Sequence, residues 1–320
     1  MQKLLSPKND YVFKKLLTLD AEILKNLIDS VLGRPGGRRI AAVEIKNPKI
    51  SPEDIEKKFI ILDVRAVDDA GREYDVEMQV RKYENYPKRT VYYLCKMYGE
   101  QLKAGEDYGE LHPVIGIHFL DYAPFPGAEA DDFQYRFALR DVRYPHLRLN
   151  DDLSVHLFDL PAMERMTQDG RGDDLLEWLR FLNRAQEEGD ESMQENYQNP
   201  MIHKAYNTLK ALSADEETRE LAEKREKALK DEAMFLNEAK KSGIEEGRKE
   251  GRKEGRKEGK WEAIELGLYL KFGDKAMGLM SKVREIDDLG RLDLIMEVLK
   301  GANALGSVEK AIGRQTEIIS

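Results

Sequence analysis

The sequence predicts an α/β fold: a mixed sheet with helices against it, followed by an α-helical C-terminal region. Three observations carry this. Phe59 to Val80, FIILDVRAVDDAGREYDVEMQV, alternates apolar and polar residues on both sides of a turn at Asp68-Asp69-Ala70-Gly71, as two half-buried strands do. Pro113 to Leu120, PVIGIHFL, is almost continuously apolar, the signature of a strand buried on both faces. Beyond Pro161 the strand signal ends and helical periodicity takes over.

The elements follow in order. Ser6 to Asn9 reads as a cap region for a helix that opens at Asp10. A second helix, around Glu22 to Leu32, stops at the breaker cluster Gly33-Arg34-Pro35-Gly36-Gly37. Ile40 to Ile45 is an expected strand, ended by Asn47-Pro48, and the hairpin comes next. Asn85 to Ala104 reads as a helix with Pro87 in its first turn, where proline is tolerated. Arg89, Tyr93, Lys96 and Glu100 share one of its faces; Val91, Leu94, Cys95, Tyr98 and Leu102 are expected to pack on the sheet. Phe133 to Leu139 and Leu153 to Leu160 are further strands. Asp174 to Ala185 is an amphipathic helix, and 187–199 reads as a polar loop. Asn199-Pro200 opens another helix, and Ser213 to Lys241 is a long charged one, with Ser213 to Glu216 in capping-box spacing.

A short repeat then appears: Gly247-Arg-Lys-Glu, Gly251-Arg-Lys-Glu and Gly255-Arg-Lys-Glu, extended by Gly243 and Gly259. Each glycine costs a helix about 1 kcal/mol relative to alanine. The i,i+3 pairs Glu246–Lys249, Glu250–Lys253 and Glu254–Lys257 return a few tenths each. The segment is thus a marginal helix whose charges nearly cancel, suited to a solvated or self-associating linker. Trp261 to Leu305 reads as a small helical hairpin, with Asp287 to Leu289 marking its turn or the start of its second helix. The expected division is 1–160, 161–242, 243–260 and 261–320.

The hairpin carries an electrostatic problem. Its apolar set is Ile60, Leu62, Val64 and Ala66, then Tyr74, Val76, Met78 and Val80. Its other face holds Asp63, Arg65, Glu73, Asp75, Glu77 and Gln79. Pairing Val67 with Glu73 sets Asp63 opposite Glu77, and like charges there destabilise a sheet. A two-residue slide keeps Asp63 on the same carboxylate-rich face, and a one-residue slip would turn the apolar set to solvent. Two readings stay open: an exposed charge ladder, or a cradle for a divalent cation such as Mg²⁺ or Mn²⁺, whose preference is for hard oxygen ligands. The following helix region adds Arg81, Lys82, Lys88, Arg89, Lys96 and Lys103 against Glu84 and Glu100.

Composition narrows the classes. With a net charge of −9, attraction for nucleic acid has to come from a local patch. A hydrophobic fraction of 41% supports a globular fold despite 35% charged residues. One cysteine, Cys95, excludes an internal disulfide, fits a reducing compartment, and reads as a buried small residue. The first residues lack a signal-peptide core, and no apolar run approaches about 18 residues. The expectation is a cytoplasmic, non-secreted chain without a membrane partner. The histidines at 112, 118, 146, 156 and 203 lack paired metal spacing and read as structural.

Five motifs occur in sequence order: Asp10-Tyr-Val-Phe13-Lys14, Leu62-Asp63-Val64, Glu77-Met-Gln79, Lys88-Arg89-x-x-Tyr92-Tyr93, and Gly105-x-x-Tyr108-x-x-Leu111-x-Pro113-Val114. Together they resemble the Rpn family of recombination-promoting nucleases, also described as transposases, within the PD-(D/E)XK nuclease superfamily. The resemblance is specific over about Leu5 to Asp121 and looser through the helical region and the repeat. It implies a restriction-endonuclease-like αβββαβ core and a metal-dependent DNA endonuclease that promotes recombination. Under it Asp63, Glu77 and Gln79 are catalytic, with Asp63, Glu77 and the Met78 backbone carbonyl as ligands of Mg²⁺ or Mn²⁺. Arg89, Tyr93, Lys96 and Lys14 are the candidate phosphate or DNA contacts. Gln79 stands where the superfamily usually has lysine, and an amide is neither a base nor a cation. The alternative is a non-catalytic interaction or DNA-binding module with a relict nuclease fold, assembled into homo-oligomers by the C-terminal helices.

Overall fold

A computed structural model describes residues 3–33, 40–46, 64–125, 132–165 and 172–313. Asp63, the strand residues 59–62, the breaker residues 34–37 and Asn47-Pro48 lie outside the described residues. The described chain forms two compact units, Met1–Glu232 and Ala233–Ser320.

The first unit opens with α1 (Asp10–Thr18), capped by the Asn9 side chain, which accepts from the Tyr11 and Val12 amides. Next is α2 (Ala21–Leu32), ended by Gly33 in the left-handed region at φ 47°. The strands are β1 (Val43–Ile45), β2 (Val64–Asp68), β3 (Glu73–Gln79), β4 (Val114–Leu120), β5 (Gln134–Ala138) and β6 (Leu153–Asp159). They form one six-stranded sheet in the order β1-β2-β3-β4-β6-β5. The β3–β4 and β4–β6 pairs are parallel and the others antiparallel.

The β2–β3 register is the one expected, Val67 opposite Glu73 and Arg65 opposite Asp75. Asp68 closes the turn. Its carboxylate accepts from the Ala70 and Arg72 amides, the Arg72 guanidinium and the Tyr74 hydroxyl. Gly71 supplies the positive φ of 77° that the reversal needs.

β3 departs from the half-buried reading: from Tyr74 to Gln79 every residue is buried. Its apolar set meets a core built from α1, α2 and later helices, including Phe13, Leu24, Ile117, Phe119, Phe158 and Trp178. Its polar set is covered by α3 (Tyr86–Glu100), which packs on β4. The inward positions of α3 are Tyr86, Thr90, Leu94 and Met97. Val91 is 58% exposed and Cys95 is exposed, contrary to expectation. The reason is the sheet beneath. Exposing a valine forfeits about 1.5–3 kcal/mol, whereas a buried carboxylate stripped of its partner costs about 3–5 kcal/mol. The helix therefore rotates Arg89 toward the carboxylates and leaves Val91 in water.

The helices after the sheet are α4 (Leu160–Arg165), α5 (Asp174–Arg184), α6 (Asp190–Asn196), α7 (Pro200–Ala214) and α8 (Glu216–Phe272). The stretch read as a loop thus contains α6, which buries Met193. The cap also moves. Ser213 lies inside α7 and donates to the Leu209 carbonyl, while Asp215 accepts from the Thr218 amide. α2 packs on α5, α7 and β1, so these helices complete the core on the sheet face opposite α3.

The second unit has its own core, with Ile264, Leu268, Val283, Leu292, Ile295 and Val308 among its members. After α8 come a 3-10 segment (Gly273–Leu279), α9 (Met280–Arg284), α10 (Leu289–Gly301) and α11 (Leu305–Gly313). No described helix is long and apolar enough to cross a membrane.

Candidate active site

Alternation along β3 brings Asp75, Glu77 and Gln79 to the face under α3, at 4%, 7% and 8% exposure. Such burial is tolerable only with charge-matched partners, and Arg89 is one. Its Nη2 donates to Glu77 Oε1 at 2.6 Å and to Gln79 Oε1 at 3.0 Å. The Gln79 amide donates from Nε2 to the Arg81 carbonyl at 2.8 Å, which fixes which end faces Arg89. The guanidinium also lies 5.0 Å from the Tyr86 ring centroid and 5.9 Å from that of Tyr83.

The second Glu77 oxygen faces an aromatic group. Tyr86 Oη is 3.4 Å from Oε2 and 2.5 Å from His118 Nδ1. His118 Nδ1 is itself 3.7 Å from Oε2, and Nε2 is 4.0 Å from Asp75 Oδ2. Both Tyr86 contacts are made at once when Nδ1–H donates to the phenol and the phenol donates to Glu77. Burial, and then the Glu77 charge, push the Tyr86 hydroxyl well above its ordinary range, so it stays a donor. Tyr122 stacks edge-on against Tyr86. Its buried hydroxyl has no partner among the described residues and is likewise pushed up, by burial first. Gly116 makes room for this arrangement, because a Cβ there would come within 2.8 Å of His118 Nε2 and 3.2 Å of Leu94.

The expected site residues thus separate. Glu77, Gln79 and Arg89 are in direct contact. Met78 turns its side chain into the core behind the sheet. Tyr93 is half-buried one turn beyond Arg89, edge-on to Tyr92 at 5.5 Å. Lys96 is half exposed and sits 3.6 Å from Glu100, so the structure does not bring it to Glu77. Lys14 is buried on α1, which packs on the sheet face opposite α3. Asp63, next in the chain before Val64, lies outside the described residues.

Tyr86 and His118 were not legible as site residues. His118 reads as a core histidine in an apolar run. The available signal was that this run, parallel to β3, sets its one polar side chain beside Glu77.

The buried carboxylate of Glu77 offers hard oxygens of the kind a divalent cation prefers. Among the described residues, no three His, Cys, Asp or Glu side chains group closely enough to hold a metal. A family model described as PD-(D/E)XK nuclease family transposase matches residues 7–239. No curated protein and no solved structure matches the chain.

Proposed function

The chain belongs to the PD-(D/E)XK nuclease family transposases, and on that premise we propose that it is a metal-dependent DNA endonuclease that hydrolyses phosphodiester bonds and promotes recombination. The fold is restriction-endonuclease-like, with α1 on one sheet face and α3 on the other. The observation that carries the proposal is the buried contact of Glu77, Gln79 and Arg89.

Asp63, Glu77 and the Met78 carbonyl would hold Mg²⁺, with Mn²⁺ as the alternative. A bound ion supplies Lewis acidity and lowers the pKa of water. The protein does the rest. Tyr86 holds the second oxygen of Glu77 in place. Arg89 offers a fork of donors, of which Glu77 and Gln79 engage one nitrogen, and its planar geometry matches a phosphate. Gln79 orients phosphate or water through its amide and moves no proton. Tyr93 and Lys96, further along α3, are proposed to follow the DNA backbone; Lys14, expected from the sequence to join them, is buried on the opposite sheet face and takes no part in that contact.

The test is plasmid cleavage by the purified protein with Mg²⁺ or Mn²⁺, compared with Asp63→Ala and Glu77→Ala. Each variant is expected to lose about a hundredfold or more in rate. Undiminished cleavage by either would remove that residue from the site. The lysine-to-glutamine departure at Gln79 favours one other reading, a relict fold serving as an interaction module. Absence of both cleavage and any calorimetric heat with divalent ions would favour it.

A further inference from the structure

We propose that Glu232 is a positioning residue for this site, and that the start of α8 is a structural limb of it. The proposal rests on the nuclease reading above for its catalytic consequence. Three polar side chains of α8 face the first unit: Thr218, Arg225 and Glu232, at 0%, 3% and 2% exposure. They are spaced by seven residues, which places them on one stripe of the helix. Thr218 accepts from Lys15 Nζ at 2.9 Å. Arg225 forks onto Asp10 of α1 with contacts of 2.6 to 3.0 Å. Glu232 Oε1 accepts from the Tyr83 hydroxyl at 2.6 Å, and its Oε2 lies 4.0 Å from Arg81 Nη1.

The first two latches tie α8 to α1. The third reaches elsewhere. Arg81 and Tyr83 belong to the short connection between the end of β3 and the start of α3. Arg81 supplies the carbonyl that orients the Gln79 amide, and Tyr83 supplies a ring over which Arg89 lies. Glu232 therefore hydrogen-bonds Tyr83, whose ring lies under Arg89, and sets its second oxygen at ion-pair distance, without a hydrogen bond, from the side chain of Arg81, whose carbonyl aims Gln79. An apolar side chain on a helix packing face avoids the several kcal/mol that burying a carboxylate costs. A carboxylate is informative here because it fixes direction, and packing alone does not. Burial and Glu232 push the Tyr83 phenol up to about 12, so it remains a donor throughout the neutral range. The stripe ends there, since beyond half-buried Ala233 the helix is exposed through 243–256.

The experiment uses the full chain. Glu232→Ala is expected to lower kcat for plasmid cleavage about tenfold with little change in KM for DNA. Glu232→Gln keeps an acceptor for Tyr83 and is expected to recover most of the rate. Tyr83→Phe should match Glu232→Ala, and the double variant should be no slower than either alone. Amide hydrogen exchange at residues 81–85, set against global stability from urea unfolding, gives a second readout that needs no activity. Protection there should fall in Glu232→Ala and Tyr83→Phe while global stability holds. Wild-type rates together with unchanged local exchange overturn the proposal, as does a rate loss that falls on KM alone. Should Glu232→Ala fail to fold, Glu232→Gln and Tyr83→Phe carry the test. Should the wild type not cut DNA, the nuclease reading fails, and the exchange data alone decide whether Glu232 sets this connection.

Discussion

Two stretches of this protein pair glutamate with arginine or lysine, and they use the pair in opposite ways. Under α3, Glu77 and Arg89 meet at 2.6 Å with side chains 9% and 29% exposed. In the glycine repeat, Glu245 and Lys249 meet at 3.1 Å with side chains 71% and 77% exposed. The distances are alike and the energetics are not. An exposed helical pair contributes about 0.3–0.5 kcal/mol and is screened by salt, whereas removing one partner of a buried pair costs about 3–5 kcal/mol. Glycine divides the same way. Gly116 is there because a side chain would strike His118, while the repeat glycines from Gly243 to Gly259 have nothing within 4 Å. Residue type says little about role until burial is known.

The contrast can be broken in three places. The largest effect is expected at Arg225, which is 3% exposed and forks onto Asp10. Arg225→Ala should lower stability by about 3–5 kcal/mol in urea unfolding. A loss no greater than that of Lys249→Ala would show that burial does not set a latched arginine apart from the exposed pairs of the repeat.

Next comes His156, 2% exposed, with neither ring nitrogen hydrogen-bonded to a described residue. Burial, with a smaller contribution from Arg136, lowers it to about 4 from 6.5. The unfolded chain takes up this proton near 6.5 and the folded chain only near 4, so acid favours unfolding and stability rises with pH across that window. The change is on the order of 3 kcal/mol over the whole window. Unfolding free energies measured between pH 4 and 7 should show this slope in the wild type and a flatter one in His156→Leu. Equal slopes would mean that this histidine is already charged in the fold.

The smallest effect lies in the repeat. Replacing Gly247, Gly251 and Gly255 by alanine should stabilise the helix by about 1 kcal/mol per site. Circular dichroism during heating should record a higher transition for the second unit. A lower one would reveal close packing at these glycines.

Much of the sheet was readable, because period-two patterning and a turn glycine specify a register and the neighbours of β2 and β3 agree with it. What escaped was which polar residues water would reach. Asp75, Glu77 and Gln79 look solvated in an alternating strand, and only the fold reveals that Arg89, Tyr86 and His118 cover them. The face of α3 differs from the sequence expectation for the same reason: a pattern of apolar residues places Val91 inward and takes no account of the pull of a carboxylate on Arg89. Glu232 is lost among the glutamates of a charged helix. Its partner Tyr83 is 149 residues away, and no local pattern records that. Asp10 reads as a helix start, which it is, but its grip on Arg225 spans 215 residues.

Those separations have a consequence in time. Chains emerge N-terminus first at about 5–20 residues per second, and contacts between distant residues slow folding. Glu77 and Arg89 leave the ribosome well before Glu232 does. With 149 residues between Tyr83 and Glu232, a growing chain carries the hairpin and its helix for on the order of 10 seconds before the third latch of α8 has been synthesised. The site is therefore among the last parts of the first unit to become complete, and a message broken before the codon for Glu232 yields a sheet without its clasp.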